Sequence, residues 1–220
     1  VSLVKHLALV TCLAFSIAAS FPLSGFSEAA GPVSGGAPVS TSAAPAQGWV
    51  GFYAGLSATS NMSGDVNYFT DGALSDGPWS VTGSQIGVFA GYNHQIGLIV
   101  LGGEVAYGAG DVAMTAFPEF RYTDMTDLKL RVGYGGDRLL PYAFAGYTVG
   151  TWDDPSFGAP VSASGMMYGL GMDIKLTDRL FAGVDYTLRD LTSDRNPALG
   201  DVNVSKSTLS SIGLRIGLNF

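Results

Sequence analysis

The stretch STLSSIGLRIGLNF, Ser207 to Phe220, decides the fold. Within it Ile212, Leu214, Ile216, Leu218 and Phe220 alternate with Ser211, Gly213, Arg215, Gly217 and Asn219. Strict period-two alternation makes a β-strand with one apolar and one polar face. A strand of this kind, closing on an aromatic, suits a barrel wall with lipid on one side and a polar lumen on the other.

Working back along the chain, seven more alternating segments appear. They are Trp49–Thr59, Ser84–Asn93, Gly97–Tyr107, Tyr122–Tyr134, Leu140–Thr151, Gly165–Leu176 and Leu180–Leu188. Each is about the ten residues that a tilted strand needs to cross the hydrocarbon. Facing is clear in most, with Phe52 and Leu56, Ile86 and Val88, Leu128 and Leu130, and Leu170 and Met172 on outward phases. In Leu140–Thr151 both phases are apolar or small, and the facing stays open. Breaks after segments one, three, five and seven read as long and polar, those after two, four and six as tight, an asymmetry that belongs to membrane barrels. The reading is an all-β, eight-stranded antiparallel up-and-down transmembrane barrel over residues 49–220. A twelve-stranded barrel would need two alternating runs inside a loop, and no loop has them.

Composition agrees. The chain of 220 residues is 47% hydrophobic and 13% charged, yet past residue 29 no run is long enough for a spanning helix, so the apolar residues must be shared among short segments. Before that point Lys5 precedes an apolar run from Leu7 to Ala19, then Pro22, Gly25 and small residues around Ser27 to Ala29, which reads as a signal peptide, residues 1–29, cleaved after Ala29. A retained anchor is the alternative, but the run is short for one. Residues 30–48, uncharged from Gly31 to Gln47 and built from small residues and proline, read as a flexible periplasmic leader. Cys12 falls inside the signal, which leaves no thiolate for a disulfide or a metal. A net charge of −7 argues against nucleic acid as a partner.

The charges supply the candidate site. Glu104, Asp127, Lys129, Arg131, Asp173, Lys175, Asp185, Arg189 and Arg215 all fall on the phase opposite the apolar residues and are expected to point into the lumen. Four acids against five bases nearly cancel, which predicts a paired, salt-bridged interior, because an unpaired charge in low dielectric is costly. Paired carboxylates can also do acid/base chemistry. A small barrel packs its own side chains inside, however, and His94 reads as a solvated turn residue on the wrong side for surface chemistry. Phosphate-cradling, metal-spacing and nucleophile-elbow motifs are missing, so no catalysis, cofactor or metal site is expected.

Trp49, Tyr92, Tyr107, Tyr134, Tyr142, Tyr168 and Tyr186 read as interfacial aromatic belts, with a stacking ligand site as the sharper alternative. Asp65, Asp71, Asp76, Asp111, Glu119, Asp153, Asp154, Asp194 and Asp201, against Arg121 and Arg195, read as an acidic outer rim. Such a rim is either simply soluble loop or a place where divalent cations are shared with lipopolysaccharide phosphates.

In order along the chain, GWVGFYAGLSATSN (48–61), GGEVAYG (102–108), LKLRVGYG (128–135), LLPYAFAGY (139–147), LGMDIKLTDRLFAGVDYTLRDL (170–191) and IGLRIGLNF (212–220) resemble the small outer-membrane β-barrel proteins of alphaproteobacteria, a porin-like surface-antigen family. The resemblance spans Trp49 to Phe220 and implies an abundant protein of the cell outer membrane. It implies outer-membrane lipids, lipopolysaccharide and the barrel-assembly machinery as partners, with host or environmental ligands at the loops. It also implies that Phe220, Leu218 and Ile216 form the assembly signal. Members are sometimes adhesins or haem binders, but the outer loops here hold no histidine, and a ligand role would fall on Tyr68, Tyr122 or Met114. Two functions follow: a structural and surface-interaction barrel with a closed lumen, or a small porin-like channel for ions or small solutes.

Overall fold

A computed structural model describes residues 48–155, 160–194 and 203–220. The stretches read as signal peptide and, to residue 47, as leader lie outside the described residues, as do Arg195 and Asp201.

Among the described residues there are eight strands: β1 (Gly51–Thr70), β2 (Ala73–Ile96), β3 (Ile99–Met114), β4 (Arg121–Tyr134), β5 (Leu139–Asp153), β6 (Val161–Lys175), β7 (Leu180–Asp194) and β8 (Asn203–Asn219). Each pairs antiparallel with the next, and β8 returns to β1, so the barrel is closed. At the seam Leu56 lies opposite Ile216 and Ser57 opposite Arg215, and the Phe220 amide donates to the Phe52 carbonyl at 2.8 Å. Closure removes the unpaired strand edges that an open sheet would present to lipid. The end carrying Trp49 and Phe220 is called the base here, and the opposite end the rim.

In the half nearest the base, apolar side chains cover the outside. Phe52, Leu56, Ile86, Val88, Leu130, Leu170, Leu214 and Ile216 are all exposed. Tyr92, Tyr107, Tyr134, Tyr168 and Tyr186 face outward with them. Trp49 and Tyr142 do not belong to that belt. Trp49 is 2% exposed and Tyr142 5%, both inside the barrel, because each has a polar partner there that the bilayer could not provide.

β5 also resolves. Leu140, Tyr142, Phe144, Gly146, Thr148, Gly150 and Trp152 point inward, and Pro141, Ala143, Ala145 and Tyr147 outward. Most of its large side chains fill the interior, while Pro141, Ala143 and Ala145 leave a run of short side chains outside.

The first loop, read as Ser60–Val81, is instead a hairpin. β1 and β2 stay paired to Thr70 and Ala73, joined by Asp71-Gly72. Both turn residues have positive φ, +51° and +77°, as a type I′ hairpin turn requires, and Asp-Gly supplies it at low strain. Between Thr59 and Met62 the pairing of β1 shifts, with Asn61 at φ +51°. That bulge swaps the facing of β1, so Met62, Val66 and Tyr68 turn inward where Tyr53 faced inward before. The break after β3 is likewise only Thr115–Phe120.

Polarity therefore inverts along the barrel. Near the rim Met62, Val66, Val81, Val112, Met114, Tyr122, Met125, Trp152, Leu191 and Leu209 pack inside as one apolar cluster. Outside, at the same height, stand Ser63, Asp65, Ser80, Thr82, Thr192, Lys206 and Thr208. The base half has the arrangement of a membrane wall, and the rim half that of a water-soluble β-barrel.

Several residues read as loop lie in strands for this reason. Asp65, Asp76, Asp111, Arg121 and Asp153 are strand residues, with Arg121 pairing to Asp111 at 3.6 Å. Asp71 and Glu119 sit in rim turns, Asp154 is buried, and Asp194 ends β7. Tyr68, Tyr122 and Met114 point into the apolar cluster rather than toward a surface ligand. His94 lies in β2, facing outward, and the turn follows at Gly97-Leu98.

Candidate functional site

The lumen is filled in three layers. Nearest the base, Trp49, Tyr53, Phe89, Val100, Leu140, Tyr142, Phe144, Met167 and Phe181 form an apolar and aromatic layer. Phe181 is its hub, edge-on to Trp49 at 6.5 Å and to Tyr53 at 6.1 Å. Trp49 closes the mouth from below. Its amide donates to Gln95 Oε1 at 2.8 Å and its indole Nε1 to the Gly136 carbonyl at 2.9 Å. Lys175 lies here too, with Nζ donating to the Gly48 carbonyl at 3.1 Å and 4.9 Å above the Trp49 ring.

The middle layer gathers Glu104, Asp127, Lys129, Arg131, Asp173, Asp185, Arg189 and Arg215, all buried. With Lys175 placed at the mouth, four acids face four bases and the layer is formally neutral. Register does much of the assembly. Glu104 is directly across from Lys129, and Asp173 and Arg215 flank Gly183 from either side.

Arg215 is the centre of this layer. Its Nη2 donates to Glu104 Oε2 at 2.7 Å, Nε lies 3.4 Å from Asp173 and Nη1 3.4 Å from Asp185. Arg131 Nη1 reaches Asp173 at 3.1 Å and Glu104 at 3.9 Å, and its Nε donates to Asn93 Oδ1 at 3.0 Å. Lys129 sits 3.3 Å from Glu104 and 3.5 Å from Asp185. To one side, Arg189 binds Asp127 at 2.7 Å and Ser211 Oγ at 3.0 Å, and Thr148 donates to Asp127 at 2.7 Å.

Sequence reasoning did not include the aromatic partners. Tyr53 donates to Glu104 Oε2 at 3.1 Å and Tyr142 to Asp185 Oδ1. The Arg131 guanidinium lies 4.4 Å from the Tyr53 ring, and that of Arg215 lies 4.1 Å from Phe89. These contacts satisfy carboxylate lone pairs and guanidinium faces that ion pairing alone leaves open. The signal in the sequence is phase: Tyr53 and Phe89 fall on the faces opposite Phe52 and Val88, whereas Tyr142, read as part of the belt, lies in a segment whose two phases look alike.

Glycine makes room for the long side chains. At Gly183 a Cβ would collide with Asp173 Oδ1 and come within 3.0 Å of Arg215 Cγ; at Gly102 it would meet Asn93 and, at 3.0 Å, Arg131 Cγ. Between the charged layer and the rim cluster lies a void of about 50 Å³, bordered by Gln85, Thr187, Arg189 and Met125. It is of the size of a few water molecules, not of a nutrient.

Ile216, Leu218 and Phe220 lie on the outside, along the β8 edge of the seam, with Phe220 78% exposed.

Residues 33–220 match the model of the outer membrane protein beta-barrel domain family. A 22 kDa outer membrane protein of Rhizobium leguminosarum bv. viciae is 31% identical over 186 residues, 80% of each chain. A 25 kDa outer-membrane immunogenic protein of Brucella canis is 27% identical over 187 residues, 83% of this chain and 84% of that one. Among solved structures, OprG of Pseudomonas aeruginosa is 16% identical with a TM-score of 0.45, covering 80% of this chain and 98% of its own. The N-terminal barrel of Pseudomonas aeruginosa OprF is 17% identical with a TM-score of 0.43, covering 79% and 100%. The family is a barrel domain of outer-membrane proteins, and the Rhizobium and Brucella relatives are named as outer-membrane proteins. The apolar belt, the closed eight-stranded wall and the family match agree: the chain belongs to the outer membrane protein beta-barrel family and resides in the cell outer membrane.

Proposed function

We propose that this protein is a structural and surface-interaction barrel whose lumen does not conduct. The observation that carries the reading is the neutral layer centred on Arg215, stacked between two apolar layers. A conducting pore of eight strands would need a continuous wet path, whereas small barrels are filled by their own side chains. Here the buried charges find partners in one another, so opening a path would separate ion pairs at a cost of several kcal/mol. The rim, rich in Asp and polar residues, is then the surface offered to partners, with lipopolysaccharide around it and host or environmental ligands above it. Assembly would be directed through Phe220 and the outward Leu218 and Ile216, which present a continuous apolar edge at the seam.

Planar-bilayer recording of refolded protein tests this. Long silent records under applied voltage are expected. Steady unitary currents from the parent protein would establish the alternative, a small channel.

A further inference from the structure

On the outer surface, where the Gly135–Arg138 turn meets the apolar belt, lies a concavity of about 410 Å³ lined by Tyr134, Asp137, Arg138, Leu139, Pro141 and Met172. It is the lower end of a trough. The outward row of β5 runs Pro141, Ala143, Ala145, three short side chains in succession. Register sets tall neighbours on both sides of that row. Ala143 lies between Val132 and Leu170, and Ala145 between Leu130 and Tyr168, all of them exposed.

Strands stand about 4.8 Å apart, so the ridges on β4 and β6 flank a channel one strand wide, matched to one hydrocarbon chain. From Pro141 to Ala145 it runs about 14 Å along the strand, close to half of a hydrocarbon core of about 30 Å. At its foot the turn is held by Gly135 N to Leu98 O at 2.8 Å and Gly136 N to Leu139 O at 2.9 Å. That turn presents Asp137 and Arg138 side by side. A guanidinium pairs with phosphate, and an adjacent carboxylate pairs with an ammonium.

We propose that this trough is a binding site for one zwitterionic, amine-bearing glycerophospholipid of the periplasmic leaflet. An acyl chain lies over Pro141, Ala143 and Ala145, the phosphate meets Arg138, and the ammonium meets Asp137. At the base every turn is tight and sits directly at the apolar belt, whereas at the rim the strands run on past it with a polar outer face, which marks the base as the periplasmic side and puts this lipid class within reach of both charges. The site is independent of whether the lumen conducts.

The test is native mass spectrometry of the folded, full-length barrel in mild detergent, titrated with phosphatidylethanolamine or phosphatidylglycerol of the same chains. One saturable phosphatidylethanolamine adduct per barrel is expected. Arg138→Gln should weaken it about tenfold, the loss of a charge-assisted contact. Ala143→Leu should abolish it by filling the trough, and Asp137→Asn should erase the preference over phosphatidylglycerol. Ala90→Leu, an outward alanine on β2, should leave it intact. Heat-modifiable mobility checks that each variant is folded, and if Ala143→Leu fails to fold the two turn variants decide. Undiminished binding in Arg138→Gln, no preference between the two lipids in the parent, or equal loss in Ala90→Leu would overturn the assignment.

Discussion

Replacing Arg215 by Ala probes the neutral layer most directly. The Arg215 side chain is 3% exposed and faces three carboxylates, but none of these is left wholly alone by its removal. Glu104 keeps Lys129 at 3.3 Å, Asp173 keeps Arg131 at 3.1 Å, and Asp185 keeps Lys129 at 3.5 Å. Breaking a buried pair costs about 3–5 kcal/mol, and this sharing places the loss near the lower end, about 3 kcal/mol. One uncompensated negative charge remains among the four acids, so adding Asp185→Asn to Arg215→Ala should recover about 1–2 kcal/mol. The assay is equilibrium unfolding in urea of the barrel folded into vesicles, followed by tryptophan fluorescence and gel mobility, with bilayer recordings on the same preparations. If Arg215→Ala unfolded within about 0.5 kcal/mol of the parent, the range of an exposed pair, water would be screening these charges. The closed-lumen reasoning would then fail, and altered ion selectivity in the recordings would complete its refutation.

Three further outcomes are expected. Gly183→Ala should cost about 1–3 kcal/mol in the same unfolding assay, because its Cβ has no space beside Asp173 and Arg215. At the hairpin turn Asp71→Asn should be neutral, whereas Asp71→Val should cost about 1–2 kcal/mol, since a β-branched residue tolerates φ +51° poorly; equal midpoints for the two would count against the turn assignment. Phe220→Asp should sharply lower the amount of heat-modifiable barrel in outer membranes while export continues, as read by fractionation; undiminished assembly would remove Phe220 from the proposed signal.

Where sequence and structure agree, the reason is contrast. From Leu128 to Tyr134 and from Ile212 to Phe220, one phase is aliphatic or aromatic and the other charged, glycine or asparagine, so strand and facing were both readable. Above the belt that contrast reverses. Met62, Val66 and Tyr68 carry the apolar face inward, and a bulge at Asn61 breaks the period just where it changes meaning, so the segment read as loop. Asp71-Gly72 did announce a hairpin, but only to a reader who expected strands to continue beyond the membrane. Within the lumen the inward placement of Glu104, Arg131 and Arg215 followed from phase alone. That Lys175 leaves the layer, and that Tyr53 and Tyr142 join it, depends on how far each strand is offset from its neighbour, which alternation does not encode.

The exchange of apolar outside for apolar inside also fixes the depth at which the molecule floats. Raising it by one row would lift side chains such as Leu56, Ile86 and Leu214 toward water, and lowering it by one row would draw Ser63, Ser84 and Ser210 toward hydrocarbon. Fully exposing one such aliphatic side chain costs about 1.5–3 kcal/mol, and every strand would contribute. The barrel wall itself therefore confines vertical excursions to less than one residue step. A bilayer whose thickness differs from the belt must itself thin or thicken around the protein, so the barrel acts as a rigid gauge that selects, or locally imposes, the thickness of the membrane in which it sits.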